Sequence, residues 1–242
     1  MKFRKIFCFE FAYLVKRIST WLYLAVLLLF TLIMKLVITP GDGVYPNNTF
    51  YITAITVIGG LIWLLIGASI AGEAAARDVK LRIHPLIFTT PVTKLDYLGG
   101  RFLAALSINA LLALALPLGV LLSFFLPGAE TGILLPFRPS VYLNVYFLVA
   151  LPNAFIATAL QFGLAAISRQ VTTSYFASLL LAIIAQVVAM AVAKLFGNWD
   201  LVKLLDPIGV AGIIGGELAT WTPTQKNTRL LTLEGMFAWN RV

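Results

Sequence analysis

The chain has 242 residues, 60% hydrophobic and only 12% charged, with a mean hydropathy of +0.95 and a formal net charge of +8. Soluble domains carry about a quarter charged residues, so this composition cannot solvate a compact globule, and apolar runs longer than roughly 18–20 residues indicate helices that cross a bilayer. The runs are continuous rather than alternating, which argues against a transmembrane β-barrel, and the positive charge reads as the basic bias of one membrane face, not as nucleic-acid binding.

The fold class expected is therefore all-α, a polytopic transmembrane helical bundle. Residues 1–19 mix bulky apolar side chains with Lys2, Arg4, Lys5, Glu10, Lys16 and Arg17. That pattern predicts an amphipathic helix lying in the membrane interface, its basic groups near anionic headgroups. The first span is expected at 21–39, with Trp21 and Tyr23 as interfacial anchors. Lys35 lies about one turn from its far end and is expected to snorkel to the headgroups.

Residues 40–50 form a turn-rich loop without Lys or Arg, and Asn47-Asn48-Thr49 in it matches a glycosylation sequon that is read as chance. The second span, 51–72, carries Gly59, Gly60, Gly67, Ala68 and Gly72, small residues that let helices approach closely. A third span is expected at 102–126, a fourth at 142–167 and a fifth at 174–196. The connection around Arg169 is short, so the last two are expected to be antiparallel neighbours. Asn109, Asn153, Gln161 and Gln186 fall inside these spans and are expected to tie helices together. The remaining segment, 197–242, is too polar and too broken to span.

Basic residues set the orientation. With the N-terminus inside, Lys2, Arg4, Lys5, Lys16, Arg17, Arg77, Lys80, Arg82, Lys94, Arg101 and Arg169 are cytoplasmic, against Arg138, Lys203, Lys226, Arg229 and Arg241 outside. A cytoplasmic N-terminus follows, and 197–242 becomes an outer segment.

Residues 73–101 are the one long charged interruption between spans. Glu73 to Arg82 is expected to continue the second helix, with Glu73 and Arg77 as an i,i+4 pair. Pro85 breaks it, and Thr90 before Pro91 is pushed toward an extended conformation. Thr93 is the expected N-cap of a short helix starting at Lys94, with Asp96 as the capping-box acid. A short helix across the membrane surface between two spans is a lever on which a partner can push.

Chemistry of other kinds is missing. The chain has one His and one Cys, no phosphate-cradling glycine loop and no paired carboxylates in its spans. An intramembrane hydrolase needs a nucleophile with a base, or two acids. No cofactor and no metal are expected in this chain.

The run Thr90-Pro91-Val92-Thr93-Lys94-Leu95-Asp96-Tyr97-Leu98-Gly99-Gly100-Arg101-Phe102, preceded by Arg77-Asp78, resembles the loop signature of ABC-2 type transporter permeases. Phe9-Glu10-Phe11, Leu134-Leu135-Pro136-Phe137, Asp206-Pro207, Asn227-Thr228 and Trp239-Asn240-Arg241 are similar to a subgroup in which the permease continues into a zinc aminopeptidase-like domain. The resemblance implies the membrane subunit of an ATP-driven exporter in a bacterial inner membrane. ATP would be bound by a separate ATPase subunit, and two permease units, or a second half, would pair. It implies coupling through the 73–101 loop, for which Asp78, His84, Pro91, Lys94, Asp96, Tyr97 and Arg101 are the expected residues. It also implies a sixth span, which this chain lacks, so the reading expects an N-terminal fragment. The alternative from the same residues is a non-transporting membrane anchor or assembly protein for a soluble domain. The spans lack a strongly ionic path, which favours a lipid-like or bulky amphipathic cargo.

Overall fold

The computed structural model describes residues 2–38, 41–83, 89, 91–126, 134–232 and 235–241. Among these the secondary structure is helical throughout. Five helices are long and apolar enough to cross a membrane: α2 (Ile18–Val37), α3 (Thr49–Lys80), α4 (Lys94–Ser123), α5 (Pro139–Ser168) and α6 (Thr173–Phe196). Each expected span falls on one of them. They are preceded by α1 (Lys2–Lys16).

The helix ends follow from local chemistry. Asn48 caps α3 by accepting the Tyr51 N–H at 2.7 Å. Thr93 caps α4 by accepting from the Asp96 N–H at 3.1 Å, and its hydroxyl donates to the Asp96 carboxylate at 2.8 Å. The expected cap is therefore in place, but the helix it opens does not stop at Gly99-Gly100. It runs on as α4, because nothing there breaks the hydrogen-bond ladder, and the lever and the third span are one continuous helix, with Pro117 near its far end. In α5 the ladder widens into a π turn at Tyr146–Ala150, immediately before Pro152, whose ring nitrogen has no hydrogen to donate.

Burial ranks the spans. In α3, 72% of the apolar window is buried, against 11% in α2, so α3 is the central post and α2 a peripheral one. At 1.5 Å per residue α3 is about 48 Å long, which exceeds a hydrocarbon core of about 30 Å. Its charged end therefore projects beyond the span proper. Around α3 stand α4, α5 and α6, and Trp63, Leu64, Ile108, Leu116, Ala154 and Phe162 form part of the core they share.

Polar side chains stitch this core. Asn109 donates to Gly67 O at 3.3 Å and to the Thr158 hydroxyl at 2.9 Å, joining α4 to α3 and α5. Gln161 donates to Leu64 O at 2.9 Å and to Ser178 Oγ at 2.8 Å, adding α6. Asn153 donates to Ile208 O at 2.8 Å. Two of the four expected amides, Asn109 and Gln161, thus bind helices together, and Asn153 ties α5 to the segment that follows α6. Gly72 is a place of close approach: a Cβ there would stand 2.4 Å from Ser174 Oγ and 2.8 Å from Val171 O.

One side chain differs from expectation at the other end of the bundle. Lys35 does not reach for headgroups. It donates to Ser123 O at 2.9 Å, at the C-terminus of α4, and lies 4.6 Å from the Phe124 ring centroid, where a cation meets exposed carbonyls favourably. Asn47 of the sequon is occupied by a reciprocal pair with Leu135, donating to its O at 2.6 Å and accepting from its N at 2.9 Å.

The segment after α6 folds as a cap on that end. It contains short helices at Trp199–Leu205 and Pro223–Thr228, and an apolar helical stretch, Val210–Thr220, too short to span. Ile213, Leu218, Trp221 and Leu231 pack against Tyr51, Ile52, Val120 and Val141. Asn227 locks the cap down: its Oδ1 accepts from Tyr45 N at 3.1 Å and Asn48 Nδ2 at 2.9 Å, and its Nδ2 donates to Gly43 O at 2.8 Å. Buried Asp206 accepts from the N–H groups of Ile208, Gly209 and Gly212 at 2.8–3.1 Å. Burial raises its carboxyl above the ordinary value, against the pull of those bonds.

A buried ionic knot at the charged end

Helix α1 carries its apolar residues Phe3, Phe7, Phe11 and Leu14 on one face, at spacings of three to four. That face is buried on α4, so the expected membrane-facing apolar stripe is spent on the protein. The contact is close because α4 offers glycine: a Cβ at Gly100 would stand 3.1 Å from Phe3 O and 3.1 Å from Ile6 Cγ2. Farther along, Val15 shares a small apolar cleft with Ile108, Leu111 and Leu112, so the two helices run side by side in the same direction. At its C-terminus α1 turns into α2 through Arg17, with Thr20 Oγ1 donating to Leu14 O at 2.6 Å and Trp21 Nε1 to Val15 O at 2.9 Å.

Glu10 lies on the same buried face, seven residues after Phe3 and four before Leu14. It is 4% exposed and surrounded by guanidinium groups. Arg77 Nη2 donates to Glu10 Oε1 at 2.6 Å, and Arg101 Nε stands 3.2 Å from the same oxygen. Arg101, at 0% exposure, makes a bidentate pair with Asp78: Nη1 to Oδ2 at 2.8 Å and Nη2 to Oδ1 at 3.1 Å. The Tyr97 hydroxyl donates to Asp78 Oδ2 at 2.5 Å and accepts from Arg101 Nη1 at 2.5 Å. Arg77 completes the group, with its Nε 3.6 Å from Asp78 Oδ1 and its guanidinium 4.2 Å from the Tyr13 ring centroid.

Two carboxylates and two guanidinium groups thus balance in one buried knot. Bidentate guanidinium–carboxylate pairing fixes angle as well as distance. A second tie, Arg17 to Glu73, bonded at 3.1 Å, joins the α1–α2 turn to α3 a turn above the knot. These pairings replace the expected i,i+4 pair of Glu73 and Arg77. Both side chains reach across to α1 and its turn instead of along their own helix.

Of the residues expected to couple, Asp78, Tyr97 and Arg101 come together in the knot. Pro91, Lys94 and Asp96 do not; they sit at the surface just before and in the first turn of α4. Asp96 serves the Thr93 cap, and the Pro91 carbonyl accepts from Lys2 Nζ, which ties the start of α1 to the loop. His84 lies outside the described residues. Glu10, Arg77, Arg17 and Glu73 were not among the residues expected at the site. A signal for Glu10 was present: it is the sole acidic residue before Asp42, and it sits on the apolar face of a basic helix.

The arrangement has no nucleophile paired with a base. What it does is tie the charged ends of α3 and α4 to each other and to α1 at Glu10. No protein-family model, no curated protein and no solved structure matches the chain.

Proposed function

We propose that this chain is the membrane-spanning permease subunit of an ATP-driven exporter of the ABC-2 type, and that its charged end faces the cytoplasm and receives force from a separate ATPase. The observation that carries the reading is the knot of Glu10, Arg77, Asp78, Tyr97 and Arg101 directly beneath the 81–93 connection. A push on the residues just before and in the first turn of α4, Pro91–Asp96, is delivered to a helix that is fastened at its near end. Thr93 caps a rod that continues through the membrane, and the knot fastens that rod to α3 and α1. The five membrane-length helices and the resemblance of residues 90–102 support the same reading.

The experiment is a co-purification. The gene is expressed with its neighbours, the membrane is solubilised gently, and the chain is captured through a tag. The reading predicts that an ATPase subunit comes down with the wild type and is lost when Lys94 is replaced by Glu. Capture of no ATPase would move the assignment to a membrane anchor for a soluble domain.

A further inference from the structure

We propose that the cavity between α1 and the connection from α3 to α4 binds one anionic phospholipid, its phosphate at Lys5 and an acyl chain along Phe9, Leu81, Ile83 and Val92. The cavity measures about 550 Å³, within the roughly 300–1,000 Å³ of ligand-binding cavities. The knot forms its inner wall through Glu10, Arg77 and Asp78, and the outer wall is almost wholly apolar.

Charge selects the headgroup. Glu10 and Asp78 are already matched by Arg77 and Arg101, so among the described residues the lining keeps the ammonium of Lys5 without a counter-charge. Lys2, Arg4 and Lys16 are also exposed on α1, and its one acid is turned inward. Behind the wall, Arg77 Nη1 is buried with no acceptor among the described residues. Hydrophobic surface selects the tail. Phe9 is 66% exposed, Leu81 58% and Ile83 40%, an apolar lining that gains by being covered. A soluble anion would leave it bare. The cavity lies at the ends of two membrane-length helices, where lipid phosphates are concentrated, and each basic group there attracts anionic lipid. The inference goes beyond the proposed function and does not depend on an ATPase.

The test uses the full chain in nanodiscs of phosphatidylcholine, with and without phosphatidylglycerol. Native mass spectrometry counts retained lipid, and thermal unfolding reports its effect. Wild type should retain one phosphatidylglycerol and unfold at a higher temperature with it. Lys5→Ala should lower retention about fivefold, the loss of one basic contact. Val92→Trp should abolish retention by filling the cavity. Both variants should unfold like wild type in phosphatidylcholine alone, which separates lost binding from lost folding. Unchanged retention in either variant would overturn the proposal. So would equal stabilisation by glycerol phosphate in solution, which would leave an anion site with no lipid.

Discussion

Replacing Asp78 by Ala should be among the most damaging single changes at the charged end. Asp78 is 6% exposed and holds both Nη atoms of Arg101, which is 0% exposed, together with the Tyr97 hydroxyl. Without it, two guanidinium groups face the single carboxylate of Glu10, and Arg101 keeps the 3.2 Å approach of its Nε to Glu10 and its bond to the Tyr97 hydroxyl. Breaking a buried pair in this way costs about 3–5 kcal/mol, because one charge stays buried without its partner. The double change Asp78→Leu with Arg101→Met removes one charge of each sign. It leaves Glu10 with Arg77, still balanced, and should lie within about 1 kcal/mol of wild type. Denaturant unfolding of five proteins in one detergent measures both quantities: Asp78→Ala against wild type, and a double-mutant cycle of wild type, Asp78→Leu, Arg101→Met and the double change. A cost below about 1 kcal/mol for Asp78→Ala would refute the claim that the knot is a buried, mutually dependent unit.

Four further outcomes follow from the same structure. Tyr97→Phe removes a hydroxyl bonded to two charged groups that remain bonded to each other, so it should cost about 1.5 kcal/mol in the same unfolding assay. Gly72→Ala should destabilise by about 1–3 kcal/mol, since its Cβ would meet Val171 O at 2.8 Å, a backbone atom with little freedom to yield. Gly163→Ala, with nothing within 4 Å, should stabilise by about 0.5–1 kcal/mol. Burial pulls the Glu217 carboxyl upward, but the hydrogen bond and charge of Lys203, helped by Trp221 and Arg229, win and hold it below its ordinary value. Its stabilisation is therefore present above the unfolded carboxylate value and is lost as pH falls through the folded one. The Glu217 side chain is 33% exposed, enough for solvent to screen the pair, so Glu217→Gln should remove under about 1 kcal/mol of acid sensitivity, read by thermal unfolding across that range.

The spans were legible because bilayer length and hydropathy are one-dimensional quantities, and the caps at Asn48 and Thr93 because capping is local. The continuation of α3 to Lys80 was also readable from its sequence. The fusion of the surface helix with the third span was not. Gly99-Gly100 reads as a break, and only the neighbouring α1 shows that the glycines serve close packing. The knot was half legible. Asp78, Tyr97 and Arg101 were singled out with the loop, but Glu10 lies 67 residues from Arg77 in sequence, and no spacing rule connects them. Glu73 and Arg77 show the same limit from the other side. Their i,i+4 spacing permits a local pair worth a few tenths of a kcal/mol, and better-buried partners on α1 and its turn outbid it. Lys35 was placed correctly near a helix end, but its partner at the α4 terminus depends on how the two helices cross.

The central claim is that force applied at the start of α4 reaches α1 through the knot, and the chain's one cysteine, exposed on α1, offers a direct reading. A spin label on Cys8 in the complex with its co-purified ATPase reports the motion of α1 during the ATP cycle. The account predicts an ATP-dependent change in the label's spectrum for wild type, and none for the variant with Asp78→Leu and Arg101→Met, in which α4 has lost its ionic ties to α3 and α1, although the ATPase stays bound. The same change in both proteins would contradict it.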